Sequence, residues 1–459
     1  MVTDVTHAAT QSILFRDVGI VTVDDSFAIH TRGWVRVEGM TIVGVGAGEP
    51  PAGASRKAEV TIDGTGHCLM PGMINAHTHL FQTFFRGLGD DKSLLDWLRE
   101  YIWPAASLMT AEEAGLAAMV GLMENIRSGA TSILDHQYIH PDAEIDDAVC
   151  RVAEQLGVRF LLARGWADRN YEPRLQETAE QIHVRTDEVR ARWHGAANGR
   201  IRIELAPLIP WGCSDDAMRS TVALSRSWGG GTHVHCAETI VEVDMSIDER
   251  GMRHVPWLDS LGVLGPDTQL VHSVWLDDGE LDVIEARGAS VVHCPTSNMY
   301  LASGVPRIPE MLARGIPVAL ASDGPGSNNR QDMFEALKTS VLLQKIHHLD
   351  PVIMQPEQAL QMACRGGATA MGLCEVIGAI EVGRKADLVL VDLRSPFIAP
   401  VHRLASALVF NVTPRDVRHV IVDGDFVMRD SVITHCDEQQ VLAAAEEACD
   451  RLFRRAGIR

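Results

Sequence analysis

Four short stretches of this chain carry side chains that could hold a divalent metal ion and move protons beside it. His77-Thr78-His79 follows the apolar run CLMPGMIN, and THVHCAE places His235 and Glu238 at the end of a second run. His272 ends QLVHSVW, and Asp323 lies in VALASDGPGSNN. Residues two apart on a strand share a face, so the imidazoles of His77 and His79 can reach one ion. Glu238, three residues beyond His235, can sit beside such an ion as a proton carrier. Taken singly these signals are weak. Among nineteen histidines an H-x-H pair is expected about once by chance, and a second pair, His233 and His235, does occur. Glu238 could as well cap a helix, and loop aspartates such as Asp323 commonly bond turn amides.

Their order makes the case. His-x-His, His-x-x-Glu, His and Asp all fall where an apolar run ends. His77, His79, His235 and Asp323 together offer three neutral nitrogens and one carboxylate, a donor set for Zn²⁺ or Fe²⁺. Water bound to such an ion has its pKa brought toward about 7, which supplies hydroxide at neutral pH.

Residues 66–376 supply the elements that would position these groups. Helical stretches alternate with brief apolar strands: GLAAMVGLMENIRSG before ATSILD, AVCRVAEQLG before VRFLLAR, MRSTVALSRSWGG before THVHCAE. LDVIEARG before ASVVHCP and IPEMLARG before IPVALASD repeat the pattern. Each helix closes on glycine and a strand follows at once, the punctuation of βα units. The spacing predicts a (β/α)₈ barrel over 67–376, whose reactive groups belong at the C-terminal ends of its strands. An open α/β sheet is the competing arrangement. SILFRDVGIVTV, GWVRVEGMTIVGVG and AEVTIDGTG near the start, with ADLVLVDL and VRHVIVDGDFVM near the end, read as short strands. Residues 1–66 and 377–432 are therefore expected to pair as one small β-sandwich domain. QQVLAAAEEACDRLFRRAG predicts a C-terminal helix within 433–459.

With those landmarks in place, PGMINAHTHLFQ, THVHCAET, LVHSVWL, HCPTSNMYLASG and ASDGPGSNN resemble, in order, those of the amidohydrolase superfamily. GAIEVGRKADLVLVDL resembles that family's return to its β-sandwich. The chain is similar to the aminohydrolase branch that includes melamine deaminase, atrazine chlorohydrolase, hydroxyatrazine hydrolase, 8-oxoguanine deaminase and S-adenosylhomocysteine deaminase. The resemblance implies that His77, His79, His235 and Asp323 bind one metal, with Glu238 and His272 as proton carriers. Binuclear relatives bridge two ions through a lysine on the fourth strand. The corresponding RIRIELAPLIP has none, so a mononuclear centre is expected. The implied reaction is hydrolytic deamination of a purine, pterin or s-triazine. Asp323 or His272 takes a proton from the attacking water, and Glu238 protonates the neighbouring ring nitrogen. Displacement of chloride or an alkylamine from a triazine, ring opening of a cyclic amide, and an inactive barrel scaffold are the alternatives. Expelling an amine needs a proton and expelling chloride does not, so Glu238 favours deamination.

Gln82 could present its amide to a ring edge, and Arg164, ending VRFLLAR, could read a carbonyl or serve a structural salt bridge. Ser327 and Asn328 match positions that contact the ring in triazine-like relatives, although turn capping also explains them. Trp97 and Trp103 stand where a lid or aromatic wall would lie, with core packing as the alternative. Asn298 and Ser303 are expected to shape the loop after the seventh strand. Cys213, Cys236 and Cys294 are expected to be small packing groups.

Forty-one basic against sixty-one acidic residues leave a formal charge of −20. That balance argues against nucleic-acid or anionic-membrane partners, which need a positive footprint. MVTDVTHAATQS lacks the blocks of a secretory signal, and no uninterrupted apolar run reaches a membrane span. Nine dispersed cysteines without a CxxC pair suit reduced thiols, and so a cytoplasmic protein. The resemblance further implies a homodimer or higher homo-oligomer.

Overall fold

The computed structural model describes residues 11–53 and 58–458, so the N-terminal segment read for a signal lies almost wholly outside them. Five strands come first: β1 (Ser12–Val21), β2 (Ile29–Glu38), β3 (Thr41–Ala47), β4 (Val60–Asp63) and β5 (His67–Pro71). Eight follow as β6 (Met73–Thr78), β7 (Ala130–Gln137), β8 (Arg159–Trp166), β9 (Ile201–Pro207), β10 (Thr232–Cys236), β11 (Thr268–His272), β12 (Ser290–His293) and β13 (Val318–Leu320). The last four are β14 (Leu388–Asp392), β15 (Val417–Val422), β16 (Asp425–Arg429) and β17 (Val432–Ile433).

The two chain ends share one sheet. Its order is β17-β16-β15-β14-β5-β1-β2-β3, with β4 on β1. β5 joins the halves: it runs antiparallel to β14, with Leu69 opposite Leu390, and parallel to β1. Alternate residues such as Ile13, Phe15, Val35, Val37 and Leu388 meet in a core of their own, while Cys68, Met70, Val389 and Val391 on the other face join the core shared with the barrel. His67–Pro71 is thus part of this sheet, whereas the sequence reading put it with the barrel. CLMP and MINA are equally apolar, so composition does not mark the change of sheet. Gly72 makes it possible, because a Cβ there would lie 2.1 Å from Thr131 Oγ1.

Strands β6 to β13 form the (β/α)₈ barrel, hydrogen-bonded in sequence order. All the described pairings among them are parallel. Closure comes just past the last strand, where Asp323 N donates to His77 O at 3.0 Å and Ser322 N to Asn75 Oδ1 at 3.0 Å. Most of these strands are buried along their whole length, which explains their continuous apolar runs. The intervening helices obey their local signals. Thr110 and Glu113 cap Ala111–Arg127 reciprocally. Gly157, at φ 77°, stops Ile145–Leu156 and turns the chain into β8. The C-terminal helix Glu438–Ala456 begins on Asp437 and packs Leu452 and Phe453 inward, Phe453 against Phe85 at 5.3 Å. No helix among the described residues is long and apolar enough to cross a membrane.

Candidate metal centre and active site

The barrel gathers the predicted histidines at its C-terminal mouth. Ring nitrogens of His77, His79 and His235 lie within 4.8 Å of one another, and so do those of His77 and His272 with a carboxylate oxygen of Asp323. Asp323 Oδ1 is 3.2 Å from His77 Nε2 and 3.5 Å from His79 Nε2. All of these side chains are buried.

Hydrogen bonds on the far side of each ring decide which nitrogen faces the centre. His79 Nδ1 donates to His136 O at 2.7 Å, and His235 Nδ1 donates to Leu208 O at 2.6 Å. For His77 the constraint is relayed. Gln269 Nε2 donates to Ala370 O at 2.7 Å, which turns its Oε1 toward His233 Nδ1, also at 2.7 Å. An amide oxygen only accepts, so His233 carries its proton on Nδ1 and accepts at Nε2 from His77 Nδ1, 2.7 Å away. Each of the three rings then turns an unprotonated Nε2 inward, the arrangement that carbonyl and side-chain partners impose on ligand histidines.

Burial holds His77 and His235 well below the ordinary histidine range and lowers His79, so these rings are neutral. For Asp323 burial pushes the other way. The adjacent His77 side chain nevertheless keeps its carboxyl well below the usual value. A neutral His77 whose Nδ1 holds the proton therefore sets a lone pair against a carboxylate at 3.2 Å. Nε2 has no hydrogen-bond partner. Two acceptors facing each other at that distance, out of water, require a cation between them. The donor set fits a divalent metal.

The remaining groups surround this centre. Asp323 Oδ2 accepts from Ser297 Oγ at 2.6 Å and Ser327 Oγ at 3.0 Å. His272 Nδ1 donates to Asn298 Oδ1 at 3.0 Å, leaving Nε2 3.5 Å from Glu238 Oε2 and 3.9 Å from Asp323 Oδ2. Ser303 Oγ donates to Glu238 Oε1 at 3.2 Å. Burial, aided by the charge of Asp323, pushes the Glu238 carboxyl up to about 8. Ala237, His272, Ser273 and Asp323 all have φ between 47° and 66°. Such left-handed backbone at non-glycine residues is uncommon and clusters at functional sites.

The cavity over this cluster, partly open to solvent, has about 450 Å³ of empty space and is lined by His79, His235, Glu238, His272 and Asp323. Gln82, Ser327 and Trp97 line it as well. Arg164 does not reach it. Its guanidinium is fully buried and held by Asp146 (3.0 Å) and bidentately by Glu177 (2.9 Å to each oxygen), the structural salt bridge that the sequence left open. Asn328 also turns away, its amide bonding Ser322 O and Arg330 N within the loop. Trp103 packs on Tyr171 at 5.0 Å. Cys213, Cys236 and Cys294 are buried.

Several neighbours were given no role by the sequence. His233 and Gln269 fix His77, while Tyr138, Tyr171 and Trp211 wall the cavity. His136, one residue beyond the run ATSILD, stacks on His235 at 4.9 Å. Extending that strand by one residue would have placed His136 at its end. Nitrogens of His77, His136 and His233 also approach within 4.8 Å, but the His77–His233 hydrogen bond already uses the facing lone pair.

Comparison with known proteins agrees with this geometry. The profile of the amidohydrolase family matches residues 68–427. A 5'-deoxyadenosine deaminase of Methanosarcina mazei is 35% identical over 447 residues, covering 96% of this chain and 99% of the relative. A 5-methylthioadenosine/S-adenosylhomocysteine deaminase of Syntrophomonas wolfei is 35% identical over 441 residues, with 96% and 99% covered. Among solved structures, an adenosine deaminase from Xanthomonas campestris with bound zinc superposes with a TM-score of 0.89 at 28% identity, covering 96% and 98%. An atrazine chlorohydrolase from Arthrobacter aurescens complexed with zinc shares the fold, with a TM-score of 0.89 at 23% identity and 95% and 100% covered.

Proposed function

Because the chain belongs to the amidohydrolase family, we propose that it hydrolyses an amino group from a nitrogen heterocycle in a metal-dependent deamination. Curated relatives that match nearly its whole length are named as deaminases of adenosine analogues. Convergence of three unprotonated ring nitrogens and one carboxylate beside the buried acid Glu238 carries this reading.

In it, His77, His79, His235 and Asp323 would hold one divalent ion, and three nitrogens with one oxygen suit zinc, with ferrous iron as the other candidate. Such an ion supplies Lewis acidity that brings the pKa of a bound water toward about 7. Asp323 Oδ2, with His272 Nε2 3.9 Å away assisting, would take the proton of the attacking water. Asn298 orients His272, and Ser297 and Ser327 orient Asp323. Glu238 delivers a proton to the ring nitrogen next to the attacked carbon, which removes the charge that addition creates there. The proton taken from the water then passes to the amino group, and the C–N bond breaks to release ammonia, a transfer that expelling chloride would not need. Nine cysteines without a disulfide suit a cytoplasmic setting.

Glu238→Gln keeps the side chain's shape and removes its proton. Ammonia release should fall by about 10²–10⁴-fold while metal content stays as in wild type. Full turnover by the metal-replete variant would overturn the assignment.

A further inference from the structure

The cavity itself restricts what can be deaminated. Its walls are apolar and flat: Trp97, Tyr138, Tyr171 and Trp211 stand around the opening above the metal-ligand cluster, with leucines and an isoleucine between them. No lysine or arginine among the described residues lines it. Arg164, placed on an adjacent strand, is consumed by Asp146 and Glu177. An anionic substituent would therefore enter a low-dielectric pocket with no counter-charge beyond the catalytic centre, which is costly.

Hydroxyl-rich substituents fare little better. The Tyr138 hydroxyl accepts from Gln82 Nε2 at 2.9 Å and also meets Tyr171. Ser327 Oγ is held between Asp323 and Gly324 O. Among the described residues the only lining carboxylates that could take a ribose diol are Glu238 and Asp323, both of which the deamination occupies. One acceptor stands out instead. Gln82 is buried at 2% exposure, and its Oε1 has no hydrogen-bond partner. Gly324 makes room for that amide, since a Cβ there would lie 2.1 Å from Oε1. A buried acceptor left without a donor is costly, so a ligand that brings an N–H to it is favoured.

Resting on the deaminase reading above, we propose that the substrate is an uncharged, unglycosylated aminated ring of nucleobase size that donates an N–H to Gln82 Oε1. This separates the chain from the relatives named for 5'-deoxyadenosine, 5-methylthioadenosine and S-adenosylhomocysteine. Stacking on the aromatic walls supplies affinity, and Gln82 supplies orientation.

The test measures ammonia release by zinc-loaded and iron-loaded enzyme from two sets of compounds. Free rings (adenine, guanine, melamine) form one, and 5'-deoxyadenosine with S-adenosylhomocysteine the other. The best free ring should exceed both nucleosides in kcat/KM by at least about 100-fold, the scale on which unpartnered hydroxyls are rejected. Nucleosides turned over as well as the free rings would overturn the proposal and leave the deaminase reading intact. Ammonia from neither set, with metal bound, would overturn both. Gln82→Met keeps the volume and removes the acceptor. It should raise KM for the preferred ring about 10-fold with a smaller change in kcat, and an unchanged KM would overturn the N–H contact.

Discussion

Two buried polar clusters sit at opposite ends of the barrel strands, and they are built on opposite principles. At the start of β8, Arg159 reaches Asp387 at 3.0 and 3.1 Å and Asp423 at 2.7 Å, while Asp423 N donates to Asp387 at 2.9 Å. This cluster ties the sheet made from the chain ends to the barrel, and its opposite charges meet one another directly. At the mouth, three neutral rings and a carboxylate turn their lone pairs toward a shared point, and His77 Nε2 has no partner. A polar cluster whose opposite charges pair with one another is a fastening, whereas one with converging unpaired acceptors is prepared for something that is not protein. The division follows the general polarity of such barrels, with stability at the N-terminal face and chemistry at the C-terminal one.

Removing one member of each cluster separates the two principles. Arg159→Ala would leave Asp387 buried without its cation and Asp423 with only Arg200 at 3.8 Å, at an expected cost of about 3–5 kcal/mol in denaturant unfolding. The kcat of the protein that stays folded should not change. If kcat fell in proportion to stability, the two ends would not be independent. A finer probe is His233→Phe, which keeps a ring behind His77 but removes the acceptor for its Nδ1–H. Metal affinity, read by chelator competition, should weaken about 10–100-fold, with little loss of global stability when metal is in excess. Unchanged affinity would place His233 with the fastenings and leave the tautomer of His77 unexplained.

Much of this was legible in the sequence because strand ends and ligands coincide there. Glycine-closed helices followed at once by apolar strands specify the barrel, and a period of two brings His77 and His79 to one centre. The same regularity hid the boundary at Gly72, since strands on either side are equally apolar. Side chains whose role depends on distant partners were not legible. Arg164 ends a barrel strand as a ligand-reading residue would, yet Asp146 and Glu177, 18 and 13 residues away, decide where it points. His233 looked like the chance half of an H-x-H pair, and only Gln269 on the neighbouring strand gives it a task. Asn328 and Ser327 are adjacent in one loop, but only Ser327 lines the cavity.

Direct counting of bound metal bears hardest on this account. Wild-type protein equilibrated with zinc or ferrous iron and then desalted should carry about one ion per chain, as expected of a mononuclear catalytic site. Asp323→Ala and His235→Ala should each lose it while remaining folded. Wild-type protein that retains no ion, or variants that retain it fully, would contradict the claim that these four side chains share one metal.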